Sequence, residues 1–477
     1  MGSVKAWKRG EAGEPGFPDD FEIAQKAVLQ VTDIKTNRNK YYAIELHVAG
    51  GSYRVFTHYG RTDDLENNPN SGQKESRYFV NLGMAQANYQ SIYNEKTSPR
   101  KGYKELSLAS SNIGSEKARG TGSGDVDAKT LQKLKSNNAE KKAPVVQESQ
   151  LPIAVQSLVR YLYDEAKGAL TANVNAKITA NGIETPLGIL TIGQIEKGEE
   201  ILTALYDVFN KKNVKNRDER ISELSSDFYT VVPHRIGRTR AAVEAAVINS
   251  LADFQQKQET LQLMKDMLNV NGEEGNVLFD AQVDKEYEAL GCEIVPLAKG
   301  SNEYLKMQEH VIASQVKTKT INVQSIYSIK RKEEWDAFTT KIDNQRHLFH
   351  GSRIGNWVGI LSRGILLPKI VVSMGVNRTD AGWLGHGIYF GDASCTSAFY
   401  TTPGKKKTRF MAVARVALGK MKDYHKITYG LAEPPAGYQS CHGVRREKTV
   451  ASEFDDNEYV IYDGRQQRQE YLVEFTV

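Results

Sequence analysis

Residues 112 to 148 form a long stretch without a single aromatic residue, and this stretch divides the chain into parts that must fold separately. It is rich in Gly, Ser, Lys and Asn, a composition that buries too little apolar surface to form a core. It therefore predicts a disordered linker. The chain of 477 residues is long enough for about three domains of roughly 150 residues each. Ordered domains are expected on either side of the linker.

Positive charge is concentrated around the same linker. The chain has a net charge of +5, and residues 96–142 contain eleven Lys and Arg against five Asp and Glu, a net +6. Such a segment can bind a nucleic-acid backbone by releasing counterions, and it can equally be a solvated spacer.

Several classes of protein are not expected from the composition. There is no apolar run of about 20 residues and no secretory leader, so the sequence predicts an intracellular protein without a membrane span. The three cysteines are far apart and form no C-x-x-C pair, which argues against a disulfide framework and against zinc.

The N-terminal part predicts a tail followed by a small α+β module. Residues 1–20 contain several Gly and Pro and show neither strand nor helix periodicity, which indicates a flexible tail. From residue 21 onward, two turn signals separate apolar, strand-like segments. A helical pattern follows at about residues 78–94. This order is typical of an antiparallel sheet with one helix.

The middle and the end of the chain have different periodicities. Residues 149–272 contain five apolar stripes at helical spacing, with a capping box from Thr191 to Gln194, and predict an all-α bundle. From about residue 276 strand-like alternation returns, for example at 410–418 and 471–477, and predicts a mixed or antiparallel β core. The whole chain is therefore predicted to be a multidomain α+β protein.

A possible ligand slot lies at His350-Gly351-Ser352, where an apolar run stops at a glycine. The missing side chain at Gly351 would let a planar carboxamide lie against the backbone, beside a ring donor and a hydroxyl. Most His-Gly-Ser tripeptides are ordinary turns. Two later segments, Gly385 to Asp392 and Asn457 to Tyr462, indicate that this tripeptide is part of a larger site.

Those three segments resemble the histidine, tyrosine and glutamate signature of the poly(ADP-ribose) polymerase family, matched by His350, Tyr389 and Glu458. The resemblance implies an ADP-ribosyltransferase fold that binds NAD as its substrate, without a metal. The backbone of Gly351 and the hydroxyl of Ser397 would bind the nicotinamide carboxamide. The rings of Tyr389 and Tyr400 would enclose the cationic nicotinamide ring.

The same resemblance assigns further roles at the site. His350 would donate a hydrogen bond to a ribose hydroxyl, and Ser352 and Asn356 would contact the adenosine side. Glu458 would orient a ribose hydroxyl, stabilise the oxocarbenium-like transition state and hold the acceptor hydroxyl. Because family members that lack this glutamate typically transfer one unit, Glu458 favours polymer formation.

The N-terminal module resembles the WGR domain of polymerases that sense DNA breaks, through residues 39–42, 58–61 and 101–103. Tyr59 stands where the family has tryptophan, and its ring can still stack on a base or sugar. Arg61 would offer a planar fork to phosphate, Gly60 would allow close backbone approach and Lys40 would add a charge. A hairpin tip without a ligand is the alternative.

Residues 186–188 and 228–234 resemble the regulatory helical domain of DNA-dependent polymerases, which implies inhibition until DNA binds. The predicted domains are a flexible tail (1–20), a WGR DNA-binding domain (21–111), a linker (112–148), a regulatory helical domain (149–272) and an ADP-ribosyltransferase catalytic domain (276–477).

The implied function is transfer of ADP-ribose from NAD to protein acceptors, including the enzyme itself, with elongation to poly(ADP-ribose) when DNA strands break. The implied partners are damaged DNA with 5′-phosphate ends and acceptor proteins, and Ser136 in the linker is a candidate for self-modification. The expected location is the nucleus, or the cytoplasm and nucleoid of a bacterium. The alternatives are a mono(ADP-ribosyl)transferase and a DNA-binding scaffold with an inactive NAD-binding domain.

Overall fold

The computed structural model of the protein describes residues 4–66, 68–124, 149–173, 177–179, 182–210, 214–234, 236–237, 239–270, 282–365 and 382–477. The described residues divide into two compact units, one from residues 1–142 and 170–268 and the other from residues 143–169 and 269–477. Among them, no helix is long and apolar enough to cross a membrane.

The first unit begins with a six-stranded antiparallel sheet in the order β1-β5-β4-β3-β2-β6. The strands are β1 (Trp7–Lys8), β2 (Glu22–Asp33), β3 (Arg38–Ala49), β4 (Ser52–Arg61), β5 (Gln73–Phe79) and β6 (Lys104–Glu105). Helix α1 (Leu82–Thr97) begins where the side chain of Asn81 accepts a hydrogen bond from the Met84 N–H. It covers one face of the sheet through Ala85, Tyr89 and Ile92. This is the predicted α+β module.

The opposite face of the sheet is covered by segments that the sequence predicts to be disordered. Strand β1 pairs with β5, and Ile113 and Ala118 are fully buried. The backbone N–H of Ser115 donates to the buried Glu45 carboxylate (2.8 Å), which also bonds His47 (2.7 Å). Residues 112–124 are thus folded, because the buried Glu45 carboxylate needs donors that local composition does not reveal, and residues 7–8 are ordered by pairing with β5. Residues 125–148, with Ser136, lie outside the described part of the chain.

Helices dominate the next region, as predicted, and a small sheet accompanies them. The helices are α2 (Ile153–Asn173), α3 (Ile192–Asn210), α4 (Arg217–Val231), α5 (Arg240–Ala245) and α6 (Leu251–Val270). The sheet has the order β7-β10-β9-β8, with β7 (Leu108–Ser111), β8 (Lys177–Thr179), β9 (Gly182–Thr185) and β10 (Gly188–Leu190). Strands β8 to β10 have only three or four residues each and are too short for periodicity to identify them.

Hydrogen bonds join the six-stranded sheet to helices α3 and α4 within the first unit. Thr191 caps α3 as predicted, since its Oγ1 accepts from the Gln194 N–H (3.2 Å). The Gln194 side chain accepts from the Ser107 N–H (3.0 Å) and donates to the Val231 carbonyl (2.9 Å). The Thr32 N–H donates to Thr230 Oγ1 (2.8 Å). Because the buried Gln194 amide is bonded through both its oxygen and its nitrogen, it fixes the positions of Ser107 and Val231. These contacts hold the sheet and the helices together.

The second unit is built on a nine-stranded sheet in the order β11-β12-β19-β15-β13-β14-β18-β17-β16, antiparallel except for the parallel pair β16 and β17. The strands are β11 (Cys292–Pro296), β12 (Asn322–Arg331), β13 (Gln345–Gly351), β14 (Ile388–Gly391), β15 (Arg409–Ala417), β16 (Met421–Tyr424), β17 (Ser440–Gly443), β18 (Glu458–Ile461) and β19 (Gln467–Thr476). This is the predicted mixed β core.

Five helices flank this sheet: α7 (Gln282–Leu290), α8 (Asn302–Ala313), α9 (Lys332–Ala337), α10 (Trp357–Arg363) and α11 (Ser394–Phe399). Helices α8 and α11 enclose a core that includes Phe349, Met411 and Phe475. Residues 149–169 of the helical region also belong to this unit. There the Tyr161 ring lies 6.0 Å from that of Phe410, and Glu165 accepts from the Lys405 N–H (2.7 Å).

Candidate active site

Two neighbouring strands of the nine-stranded sheet separate at the place where the predicted site residues meet. Strand β13 pairs with β14 only at Phe349 and Gly391, whereas it continues to pair with β15 as far as Gly351. Beyond Phe349 the edge of β13 that faces β14 is therefore open. Backbone groups at such an edge can bind a planar amide.

Ser397 of helix α11 lies in the gap between these strands. Its hydroxyl donates to the Phe349 carbonyl (3.1 Å), and a Cβ atom at position 351 would lie 2.0 Å from the Ser397 carbonyl oxygen. Position 351 therefore has room only for glycine. The sequence analysis predicts that Gly351 and Ser397 bind the same carboxamide. In the structure these two residues are in direct contact.

Tyr389 is held rigidly beside this gap. Its hydroxyl accepts from the Leu384 N–H (2.9 Å) and donates to the Gly385 carbonyl (2.8 Å). Burial raises the pKa of the phenol, with smaller effects from the charges of Glu458 and Tyr400. The ring is thus fixed and neutral. Tyr400, directly after α11, is 63% exposed and leaves the other side of the slot accessible.

His350 has a hydrogen bond that defines its chemical role. Its Nδ1 lies 3.0 Å from the Tyr389 carbonyl oxygen, which can only accept, so Nδ1 carries the proton. Burial lowers the pKa of the imidazole, which keeps the ring neutral at neutral pH. Its Nε2 then has a lone pair and accepts a hydrogen bond. With this tautomer His350 would accept from a ribose hydroxyl, where the sequence analysis expects it to donate, and the contact with ribose stays a prediction.

Glu458 is the first residue of β18 and lies opposite Gly391 of β14 and Gly443 of β17. Tyr389 and Gly391 are two residues apart on β14 and share a face, and Glu458 is paired with Gly391, so the side chains of Tyr389 and Glu458 are on the same face. Burial, with a further contribution from Asp456, raises the pKa of the Glu458 carboxyl to about 7. A carboxylate with such a pKa is suited to accept a proton near neutral pH.

A charged network behind Glu458 was missed by the sequence analysis. Asp456 pairs with Lys317 (3.0 Å) and lies 3.6 Å from Arg445 Nε, and Arg445 also pairs with Asp392 (3.2 Å). Asn457 donates to Asp392 (2.8 Å). These contacts fix the start of β18. The run of acidic residues just before Glu458 was a visible signal, but its two basic partners, Lys317 and Arg445, come from other segments of the chain.

Ser352 and Asn356 form a separate pair beside the open strand end. The Asn356 amide donates to the Ser352 hydroxyl (3.1 Å), and both side chains are partly exposed. Among the described residues, no hydrogen bond joins them to His350, Tyr389 or Glu458. Their proposed contact with adenosine stays a prediction.

The four candidate DNA contacts lie together on β3 and β4, where Lys40 is paired with Arg61. Lys40 is exposed. The Tyr59 ring stacks on Tyr42 at 5.0 Å, and a Cβ atom at position 60 would lie 3.0 Å from the Gly72 Cα. The missing side chain at Gly60 therefore allows the loop that contains Gly72 to pack closely against β4.

Arg61 already uses its guanidinium within the protein. It bonds Asp63 (2.8 Å), Asn37 Oδ1 (2.8 Å) and the Gly237 carbonyl (3.1 Å). A phosphate would have to compete with these acceptors. DNA contact by these four residues remains a prediction.

Among the described residues, no group of three or more His, Cys, Asp or Glu side chains is arranged to hold a metal ion. Cys395 of α11 is buried, as are Cys292 and Cys441.

Family descriptions match three consecutive parts of the chain. A WGR domain matches residues 25–109, a poly(ADP-ribose) polymerase regulatory domain matches residues 149–273, and a poly(ADP-ribose) polymerase catalytic domain matches residues 301–477.

Individual relatives cover the chain to different extents. The human protein mono-ADP-ribosyltransferase PARP4 is 33% identical over 336 residues, which is 70% of this chain and 18% of PARP4. The chain thus spans less than a fifth of that relative. Mouse mono-ADP-ribosyltransferase PARP3 is 27% identical over 94% of this chain and 87% of PARP3. Human poly [ADP-ribose] polymerase 2 is 25% identical over 94% of this chain and 78% of its own length.

Proposed function

The chain belongs to the poly(ADP-ribose) polymerase family and has its WGR, regulatory and catalytic domains, and from this premise we propose that it is a DNA-break-responsive polymerase. It would transfer ADP-ribose units from NAD to proteins, including itself, extend them to poly(ADP-ribose) and release nicotinamide. The observation that carries the proposal is the convergence of Gly351, Ser397, Tyr389, His350 and Glu458 around one open strand end.

The bond that breaks joins nicotinamide to C1 of its ribose. The open backbone at Gly351 and the Ser397 hydroxyl would bind the carboxamide, and Tyr389 would hold the ring from one side. Fixing the leaving group in this way lowers the entropic part of the barrier. The neutral His350 would accept a hydrogen bond from a ribose hydroxyl and so orient the sugar.

Glu458 would have two tasks in the same reaction. Its carboxylate stabilises positive charge as the glycosidic bond breaks. When an acceptor hydroxyl attacks C1, the carboxylate accepts the proton that this oxygen loses, so the charges balance. A pKa of about 7 makes it a competent base under physiological conditions.

Chain elongation is the feature that separates the two candidate activities. The presence of Glu458 supports polymer formation, because family members without the glutamate typically stop at one unit. The names of the PARP4 and PARP3 relatives, both mono-ADP-ribosyltransferases, favour a single transfer. Polymer formation is the preferred proposal, and mono(ADP-ribosyl)ation is the second candidate.

The response to DNA is supported by the match to a WGR domain and by the position of Lys40 and Tyr59 on adjacent strands. The proposed ligand is a DNA break with a 5′-phosphate, and the proposed site of action is the nucleus, or the nucleoid of a bacterial cell. Hydrogen bonds such as that from Thr32 to Thr230 connect the sheet to the regulatory helices and could transmit the signal.

A single assay tests the proposal. The purified full chain is incubated with labelled NAD, with and without nicked duplex DNA carrying a 5′-phosphate. Nicotinamide release and the size of the labelled product are then measured, with Glu458→Gln as the control. We expect DNA to stimulate turnover, a ladder of products, and neither with Glu458→Gln. A single product band would establish the second candidate, and absence of turnover would indicate a DNA-binding scaffold.

A further inference from the structure

Two cationic side chains bond one exposed asparagine beside the six-stranded sheet. Lys74 Nζ and a terminal nitrogen of Arg119 both donate to Asn70 Oδ1, at 3.1 and 2.5 Å. The backbone N–H of Arg9 donates to the Lys74 carbonyl, and the charge of Arg9 acts on the Lys74 amine. Among the described residues, none of the three side chains forms an ion pair with a carboxylate within 4.0 Å.

We propose that Arg9, Lys74 and Arg119 form a phosphate-binding site for the backbone of DNA. The inference rests on the proposed DNA response and extends it to residues that nothing else assigns. Arg9 and Arg119 lie outside residues 25–109, which match the WGR domain. The site therefore combines Lys74, from the matched domain, with one residue on either side of it.

The electrostatics of the cluster indicate an anionic ligand. Burial, together with the charges of Arg119 and Arg9, lowers the pKa of the Lys74 amine. Neighbouring like charges repel, and an anion placed between them relieves the repulsion. The nearest carboxylates do little to neutralise the positive cluster. Glu45 is already bonded to His47 and Ser115, and Glu116 is exposed to solvent.

Arg119 also has an unused donor. Its Nε atom is buried and has no hydrogen-bond partner in the described part of the chain. A buried donor without a partner is unfavourable, and a guanidinium binds an anionic oxygen more strongly than a neutral amide oxygen. The neutral amide of Asn70 is a weak substitute for such an acceptor. The geometry thus favours a ligand with several anionic oxygens.

The position of the cluster favours DNA as the source of the phosphate. The loop that carries Asn70 continues through Ser71 to Gly72, whose Cα would lie 3.0 Å from a Cβ atom at position 60. Gly60 is among the candidate DNA contacts, with Lys40 and Arg61. A backbone that reaches those residues has further phosphates at regular intervals, and Arg119 belongs to the segment 96–142, whose net charge is +6.

The test measures DNA affinity of the full chain as a function of salt. Fluorescence anisotropy with a labelled, nicked, 5′-phosphorylated duplex compares the natural protein with Arg9→Gln, Lys74→Gln and Arg119→Gln. Each substitution should weaken binding by roughly three- to tenfold and reduce the slope of log K against log salt by about 1. Lys306→Gln removes one exposed charge from helix α8 and should leave both quantities unchanged.

Thermal unfolding separates a binding role from a structural one. If the cations repel each other, each substitution leaves Tm unchanged or raises it while affinity falls, and Arg119→Lys keeps part of the affinity. A loss of affinity that always accompanies a lower Tm would overturn the inference. So would three variants that bind DNA like Lys306→Gln, in which case the proposed DNA response would stand without this site.

Two further outcomes are distinguishable. If the natural protein does not bind the duplex, the proposed DNA response and this site are both wrong. The same variants are also titrated with purified poly(ADP-ribose). Loss of polymer binding with unchanged DNA binding would show that the pyrophosphates of the polymer are the ligand, and the assignment to DNA would be overturned.

Discussion

The protonation state of Glu458 sets the expected pH dependence of the reaction. Its pKa is raised to about 7 by burial and by Asp456, so the carboxylate form gains population as the pH rises through 7. We expect NAD turnover to rise with pH around a midpoint near 7, and Glu458→Gln to lower turnover by about 10²- to 10⁴-fold. Nicotinamide release between pH 5.5 and 9 measures both effects.

Asp456→Asn tests the cause of that shift. Removing the charge of Asp456 should lower the midpoint of the pH profile of NAD turnover by about half a pH unit to one pH unit. The reason is that one negative neighbour no longer opposes the ionisation of Glu458. Asp455→Asn is the matched control, because Asp455 is exposed and pairs with Arg446. An equal shift in both variants would mean that the overall charge, and not Asp456, controls Glu458.

The same residue should destabilise the protein at alkaline pH. A carboxyl whose folded-state pKa lies above its unfolded value of 4.5 favours the folded state at low pH, and this contribution is lost as the pH rises through 7. At pH 8 we expect Glu458→Gln to be more stable than the natural protein by up to about 3 kcal/mol.

At pH 4.5 the two proteins should unfold at nearly the same temperature, because the glutamate is then protonated like its neutral replacement. Thermal unfolding at the two pH values measures the difference. A lower Tm for Glu458→Gln at pH 8 would show that the carboxylate is stabilised by the fold, contrary to its raised pKa.

At the scale of elements, the slot depends on the close approach of β13 and α11 at Gly351. Gly351→Ala would place a Cβ atom 2.0 Å from the Ser397 carbonyl oxygen and displace the helix that carries Ser397. We expect a loss of about 1–3 kcal/mol in the free energy of unfolding and a higher KM for NAD. Chemical denaturation and NAD titration check the two effects.

Gly168→Ala is the control for this substitution. Gly168 lies in helix α2, and a Cβ atom there would meet nothing within 4 Å. Alanine at that position should stabilise the helix by up to about 1 kcal/mol and leave KM unchanged. If Gly351→Ala behaved in the same way, the slot would not depend on this contact.

At the scale of the whole molecule, the proposed DNA response requires a connection between the six-stranded sheet and the regulatory helices. Thr230 Oγ1 accepts from the Thr32 N–H (2.8 Å) and donates to the Ser226 carbonyl (2.9 Å). Thr230→Val keeps the shape and leaves the buried Thr32 N–H without a partner, at a cost of about 1–3 kcal/mol. We expect the stimulation of NAD turnover by DNA to fall severalfold.

Thr260→Val provides the comparison for that experiment. Thr260 is equally buried, but in the described part of the chain its hydroxyl bonds only to Gln256 of its own helix α6 (2.8 Å). This variant should keep the stimulation by DNA. Turnover with and without nicked DNA is measured for both, and equal stimulation in both would show that the signal does not pass through Thr230.

The order of the candidate catalytic residues along the chain, and the number of folded regions, could be predicted from the sequence by itself. His350, Tyr389 and Glu458 stand in fixed order with typical neighbours, and the change from strand to helix and back to strand periodicity marks three folded regions. These are local properties, because periodicity reflects which face of an element is buried. The sequence also identified Gly351 as a position whose missing side chain would leave the backbone accessible to a flat ligand.

Only the tertiary structure decided which atoms the groups present to a ligand. The Tyr389 carbonyl fixes the proton of His350 on Nδ1, burial and Asp456 set the pKa of Glu458, and buried Glu45 folds residues 112–124 onto the sheet. In each case the partner is distant in the chain. Hydrogen-bond direction, desolvation and charge pairing depend on such neighbours in space, which no local pattern of residues specifies.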